Sequence, residues 1–335
     1  MTITENLRKR FVKDTALPIK IFTEPYFSHY LELYDKQFDA KKKYEMFLKL
    51  LEEFSDEQAY FAEYNRIKDA AISYLENNEI MQYFCQKEDM NKFNHNHPNL
   101  PSNHIFKCTN IGKHFVSIDM RKGNFTALRH YNPEIVGGKD SYEEFIGMFT
   151  DQEYFKSSKY IRQVIFGNQN PRRQTTYEKY LMGRVLDRLI ETFENFDMKN
   201  IAFFNTDELV IDVTPYFTAD NPMEMVYAIA TIENLVDWAA AEGISVRSDW
   251  FKLRKIIGTE GYMREFELCS AKKGVDFKCV TADEMPFVIR AFNNEPVQDN
   301  DMLFIHENRL ARWVTPIDIQ FADTMEGVSN GKTEV

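Results

Sequence analysis

Cysteine is scarce in this chain: Cys85, Cys108, Cys269 and Cys279 are the only four among 335 residues. None stands in a CxxC pair, so neither a disulfide framework nor a redox dithiol is expected, and the pattern fits a reducing, cytoplasmic setting. Long apolar runs are missing too. No stretch approaches the roughly 20 residues that a membrane helix needs, so no membrane partner is expected. The opening MTITENLRKRFVKD carries no apolar secretory core. Glycine (13) and proline (11) are too few for a collagenous or low-complexity chain. GxSxG, Walker A and HExxH patterns do not occur, which removes the esterase elbow, the P-loop and the zincin helix. Gly112-Lys113 and Gly137-Gly138-Lys139 lack the GxxxxGK frame. Cys108 paired with His114 or His130 is the remaining thiol-dyad option, and the sequence supplies no geometry for it.

What remains is a globular composition, 44% hydrophobic and 28% charged, long enough for two ordinary domains or one domain with an attached lobe. The net charge of −11 argues against a uniformly basic nucleic-acid coat, but the charge is uneven. Eight bases (Lys156, Lys159, Arg162, Arg172, Arg173, Lys179, Arg184 and Arg188) are opposed only by Glu178 and Asp187 over residues 156–188. From residue 281 onward, ten acids face four bases. A charge run is usually a solvated helix face; this one lies between two carboxylate-bearing strands.

Residues 1–100 read as a helical lobe. Aromatics and leucines recur at three- and four-residue spacing over 26–54 and 61–84, a stripe best explained as core packing. Ser55, followed by Asp56 and Glu57, offers a helix start. Residues 91–104 hold five asparagines and two prolines and mark a boundary. His95, His97, His104 and Cys108 nearby are possible zinc ligands, but their spacing matches no standard module.

Residues 101–320 change to mixed α and β. HFVSID at 114–119 is a short β-prone run ending on Asp119. Helices are expected over 142–149, 154–166, 176–196 and 223–241. IAFFNTDELVIDV at 201–213 reads as a hairpin turning at Asn205-Thr206-Asp207. Short strands are expected at 263–269, 277–280, 287–292, 302–305 and 310–314, and residues 321–335 as a disordered tail. The fold class is therefore α+β, with a mainly antiparallel sheet.

The chemistry lies in the order of the central elements. A strand delivers Asp119, a cationic helix follows with Lys159 and Arg162, and a hairpin presents Asp207 and Glu208. Carboxylates on neighbouring strand ends suit Mg²⁺ or Mn²⁺, which bridge phosphate oxygens; facing cations offset triphosphate charge. Asp212, five residues after Asp207, is held in reserve.

This order resembles motifs A, B and C of nucleic-acid polymerase palm domains. Lys159-Tyr-Ile-Arg-Gln-Val-Ile-Phe166-Gly167 has the spacing of the family B DNA polymerase pattern Kx3NSxYG. Phe203-Phe204-Asn205-Thr206-Asp207-Glu208 is similar to YxDTDS, and Asp119 to the motif A aspartate. The resemblance implies that Asp119 and Asp207 hold the metal and that Lys159 contacts the triphosphate. Phe166, beside Gly167, would line the nascent base pair, and a lysine of the Lys272-Lys273-Gly274 turn would protonate pyrophosphate, although that stretch reads first as a plain hairpin turn. The chain departs from the pattern at Asn205, at Gln163-Val164 and in MRKGNFTALR after Asp119, and 88 residues from Asp119 to Asp207 leave no room for large fingers.

The expectation is a nucleotidyltransferase that uses Asp119, Asp207 and Glu208. Lys159, Arg162, Phe166, Gly167, Arg172 and Arg173 would hold nucleoside triphosphate and nucleic acid. A protein partner or a second copy would complete a substrate grip this short chain lacks. The alternatives are a non-catalytic accessory protein that binds nucleic acid or protein through the basic block, and a nuclease built from the same acids.

Overall fold

The computed structural model describes residues 1–167, 169–194, 196–218 and 222–324. The first lobe is helical: α1 (Glu5–Thr15), α2 (Tyr26–Phe38), α3 (Ala40–Leu51), α4 (Glu57–Glu76) and α5 (Glu79–Gln86). Its aromatic stripe is core, as Phe11, Phe27, Phe47 and Tyr60 are fully buried. The long helix expected over 26–54 is divided at Asp39, which takes a left-handed φ of 52° and turns α2 into α3. Asp56, rather than Ser55, caps α4 by accepting from the Ala59 amide.

The chain then enters β1 (His114–Met120), followed by α6 (Gly123–Tyr131), α7 (Tyr142–Ile146), α8 (Glu153–Ser157), α9 (Lys159–Gly167) and α10 (Pro171–Thr192). The helix expected over 154–166 breaks at Ser158, whose hydroxyl accepts from the Ile161 amide and starts α9. β2 (Ile201–Phe204) and β3 (Glu208–Asp212) form the expected hairpin. After α11 (Thr214–Phe217) and α12 (Pro222–Ala241) come β4 (Val246–Ile257), β5 (Tyr262–Phe266) and β6 (Val275–Lys278). The strand expected at 287–292 is instead helical, within α13 (Met285–Phe292). Short, wholly apolar runs carry no period that separates the two states. β7 (Leu303–His306) and β8 (Arg309–Arg312) form a separate hairpin. The expected tail starts too early at 321, because β9 (Gln320–Ala322) pairs with β4, and Asp323 beyond it bridges Lys252 and Arg254. Residues 325–335 lie outside the described residues.

The fold is α+β. The main sheet runs β2-β3-β1-β4-β5-β6, antiparallel throughout, with β9 added alongside β4. Successive strand residues point to opposite faces. Val116, Ile118, Leu209, Ile211 and Trp250 pack in one hydrophobic cluster with Leu181 and Leu189 of α10 and Leu235 of α12. Phe115, Val210, Phe251 and Leu253 face the other way and are covered by Ile105, Phe106 and Ile111. The first cluster extends without a break from Leu7 to Ile289, so the helical lobe and the sheet share one core.

Candidate active site

On the face covered by Ile105 and Phe106, the apolar residues give way to polar ones toward the end of β1. Ser117 and Asp119 share that face, and register places Glu208 and Arg247 on either side of Asp119. The β2–β3 turn is tied to the same strand end, because the Met120 amide donates to the Asp207 carbonyl at 2.7 Å. β1 leaves the sheet through Lys122, at a left-handed φ of 50°, and enters α6 directly. The start of α9 lies opposite. Between these elements is a cavity of about 750 Å³ whose lining includes Asp119, Asp207, Lys159, Arg162, Arg247 and Lys272. Arg121, Lys122, Asn124 and Gln163 complete much of its wall. Six cationic side chains therefore meet two carboxylates in one concave site.

The carboxylates are held differently. Asp119 accepts from Arg247 Nη2 at 2.5 Å across β1–β4. Burial pushes its pKa up, Arg247 pulls it back, and the charges of Glu208 and Asp207 raise it further. Burial also raises Asp207, with the Glu208 charge adding to the shift. Glu208 itself turns toward the sheet, where it accepts from Ser117 Oγ at 2.6 Å and lies 3.6 Å from Arg264 Nη1. It contributes charge to the site but does not line the cavity.

The opposing cations divide into two groups, apart from Lys122, which pairs with Glu143. Among the described residues, no carboxylate pairs with Lys159, Arg162 or Arg121, so their charge faces the cavity. Arg247 and Lys272 are anchored by Asp249, which is 1% exposed, at 3.2 and 3.3 Å. The Asp249 carboxylate also accepts from the Lys272 amide, which fixes the β5–β6 loop against the strand.

Beneath the cavity floor is a buried polar network. Asn124 Nδ2 donates to Gln174 Oε1 at 3.1 Å and to Glu178 Oε1 at 3.0 Å. Gln174 Nε2 in turn donates to the Phe166 carbonyl at 3.0 Å and to the Gln169 carbonyl, so α10 fixes the end of α9 relative to α6. Burial, with the Asp207 charge adding to it, pushes Glu178 up to about 7.

The other residues singled out by the sequence are dispersed. Phe166 is fully buried among Phe125, Tyr142 and Phe145, so it cannot line a base pair. Gly167 is exposed at the end of α9, outside the cavity lining. Arg173 is consumed by the Phe84 and Glu88 carbonyls at 3.0 and 2.6 Å, and Arg172 is exposed away from the cavity. Lys156, Arg184 and Arg188 pair with Glu153, Glu242 and Glu191, while Lys179 lies over Phe204. The basic block is thus a sequence run and not a single surface. Asp212 pairs with Lys113 at 2.9 Å at the far end of the sheet.

The histidine-rich loop has a packing role. A Cβ on Gly183 would come within 2.4 Å of His95 Cβ, so the glycine in α10 admits the loop. His97 Nε2 lies 2.7 Å from Asp187 Oδ1, whereas Cys108 lies beside Tyr262 and His104 beside Phe106. Among the described residues, no group of three or more His, Cys, Asp or Glu is arranged to hold a metal ion. Asp119 and Asp207 line the same cavity. Two hard oxygen donors of like charge, both destabilised as anions, suit Mg²⁺ or Mn²⁺, which take one or two carboxylates and fill their remaining positions with water and phosphate oxygens. No helix among the described residues is long and apolar enough to cross a membrane.

Scans against protein-family models, curated proteins and solved structures find no match to this chain.

Proposed function

We propose that this chain is a nucleotidyltransferase that adds nucleotides from a nucleoside triphosphate to a nucleic-acid hydroxyl end. The observation that supports it is the single cavity in which Asp119 and Asp207 face Lys159, Arg162, Arg247 and Lys272. Asp119 and Asp207 would hold Mg²⁺ or Mn²⁺. When bound, such an ion activates the attacking hydroxyl and neutralises charge on the phosphates. The hydroxyl proton passes to solvent, its oxygen forms a bond to the α-phosphorus, the bond from that phosphorus to the bridging oxygen breaks, and pyrophosphate departs. Lys159 and Arg162 offset the triphosphate charge, and Lys272, anchored on Asp249, faces the leaving group as a cation and proton donor. Preorganisation by Asp249 lets that charge act without rearrangement.

The test is incorporation of labelled nucleoside triphosphates onto a primer-template with Mg²⁺ and then Mn²⁺, alongside Asp119→Asn and Asp207→Asn. Extension that is lost in both variants supports the two-carboxylate reading; equal extension in either variant refutes it.

A second reading rests on Asn205 and on the Arg247–Asp119 pair. With asparagine at the first acidic turn position and an arginine already on Asp119, the cavity would bind nucleic acid without catalysis. Salt-sensitive strand binding with no incorporation on any template would favour it.

A further inference from the structure

A second cavity, of about 360 Å³, opens between the end of α1, the start of α3 and the junction of α8 with α9. Lys159 lines both this cavity and the carboxylate cavity, so the two meet at one residue. Its other charged lining residues are Asp14, Asp39, Lys42 and Lys43. Lys42 is exposed, and among the described residues neither it nor Lys159 has a carboxylate partner. Lys43 donates to the Phe38 carbonyl at 2.5 Å.

The acid that would cancel these lysines is sequestered. Asp14 is 3% exposed and accepts from Ser158 Oγ at 2.8 Å and from the Tyr64 and Tyr154 hydroxyls at 3.2 Å. Its oxygens are turned into the protein, and Arg10 lies close enough to offset its charge. Ser158 and Lys159 also begin α9, so the positive end of that helix contributes to the same gap. Asp39 is the only other carboxylate in the lining.

We propose that this cavity is a second phosphate-binding site, on Lys42 and Lys159, continuous with the carboxylate cavity. Its link to the carboxylate cavity rests on the reading that the latter takes a nucleotide; its phosphate chemistry does not. The phosphate comes either from a nucleic-acid strand that continues past the site of transfer or from a nucleotide. A strand would place successive phosphates on either side of Lys159, whereas a nucleotide would seat its terminal phosphate at Lys42.

Lys42→Glu is the decisive variant, because an exposed lysine can be changed without disturbing the core. Lys87→Glu is its control: it makes the same charge change at an exposed lysine that lines neither cavity. Binding of a fluorescein-labelled oligothymidylate, of a nucleoside triphosphate and of inorganic pyrophosphate is measured across a salt series. If the phosphate belongs to a strand, Lys42→Glu weakens oligothymidylate about tenfold and lowers the salt slope by about 0.7, with triphosphate unchanged. If it belongs to a nucleotide, the triphosphate weakens instead. Pyrophosphate binding that is sensitive to Lys42→Glu in an Asp119→Asn/Asp207→Asn background upholds the site even if no incorporation is found. Equal binding of all three probes by Lys42→Glu and Lys87→Glu overturns the inference and leaves the carboxylate cavity's function untouched.

Discussion

Arg247 Nη2 lies 2.5 Å from Asp119 Oδ2, and the same guanidinium reaches the buried Asp249 through Nε at 3.2 Å. The arginine therefore holds one of the two candidate metal carboxylates while itself anchored from behind. A divalent cation must compete with it for Asp119.

Arg247→Ala is expected to bind Mn²⁺ about three- to tenfold more tightly at pH 8, since the competing charge is gone, and to bind nucleoside triphosphate more weakly. Titration of free Mn²⁺ by electron paramagnetic resonance measures the first effect and calorimetry the second. Unchanged Mn²⁺ affinity would show that Asp119 takes no part in holding the ion.

Asp207→Asn should raise the melting temperature of the metal-free protein, because it relieves the repulsion by Glu208 that adds to burial in raising Asp207. The same substitution should abolish Mn²⁺-dependent stabilisation. A thermal melt with and without Mn²⁺ reads both, and a variant still stabilised by the ion would exclude Asp207 as a ligand.

The contribution of Asp14 and Glu178 to stability should fall as pH rises from about 4 to about 7. Burial raises Asp14 to about 6 and Glu178 to about 7, above the 3.8 and 4.5 of exposed groups. The folded state thus holds these protons more tightly than the unfolded state does. Their contribution is fully present below the unfolded pKa values and is lost as pH passes through the folded ones. Glu178→Gln should be more stable than wild type at pH 8 by roughly 1–3 kcal/mol and similar to it at pH 4, as read by urea denaturation.

Phe166→Ala should cost about 3–5 kcal/mol of stability, the price of a buried aromatic deletion. Its effect on nucleotide affinity should vanish under conditions where the variant remains folded. A selective loss of nucleotide affinity in a fully stable variant would return Phe166 to the site.

The α+β class, the helical lobe and the 201–212 hairpin were legible because each has a clear period or a polar turn. Asp119, Lys159, Arg162 and Asp207 were legible through their order along the chain, whereas the Lys272-Lys273-Gly274 turn gave no sign of which lysine faces the cavity. β4, the longest strand, was not. VRSDWFKLRKII places Trp250 and Phe251 side by side and charges on both faces, so it shows no clean alternation. Those charges are settled by distant partners: Arg247 by Asp119, and Lys252 and Arg254 by Asp323. Arg247 was hidden with its strand. Phe166 was misplaced because helix spacing identifies an apolar side chain without saying whether it faces a ligand or the core. Asn124 of α6 and Gln174 and Glu178 of α10 have no pattern to find, since they meet from two helices far apart in the chain.

The unbroken core from Leu7 to Ile289 carries a kinetic consequence. Lobes with separate cores can swing about a linker and close on a substrate, whereas lobes sharing one interior would have to tear it open to do so. The space between α9 and the β1 end is therefore a fixed berth. Entry should track the electrostatic pull of Lys159, Arg162 and Arg121, so capture should slow steeply with added salt and show little of the lag that a closing jaw imposes.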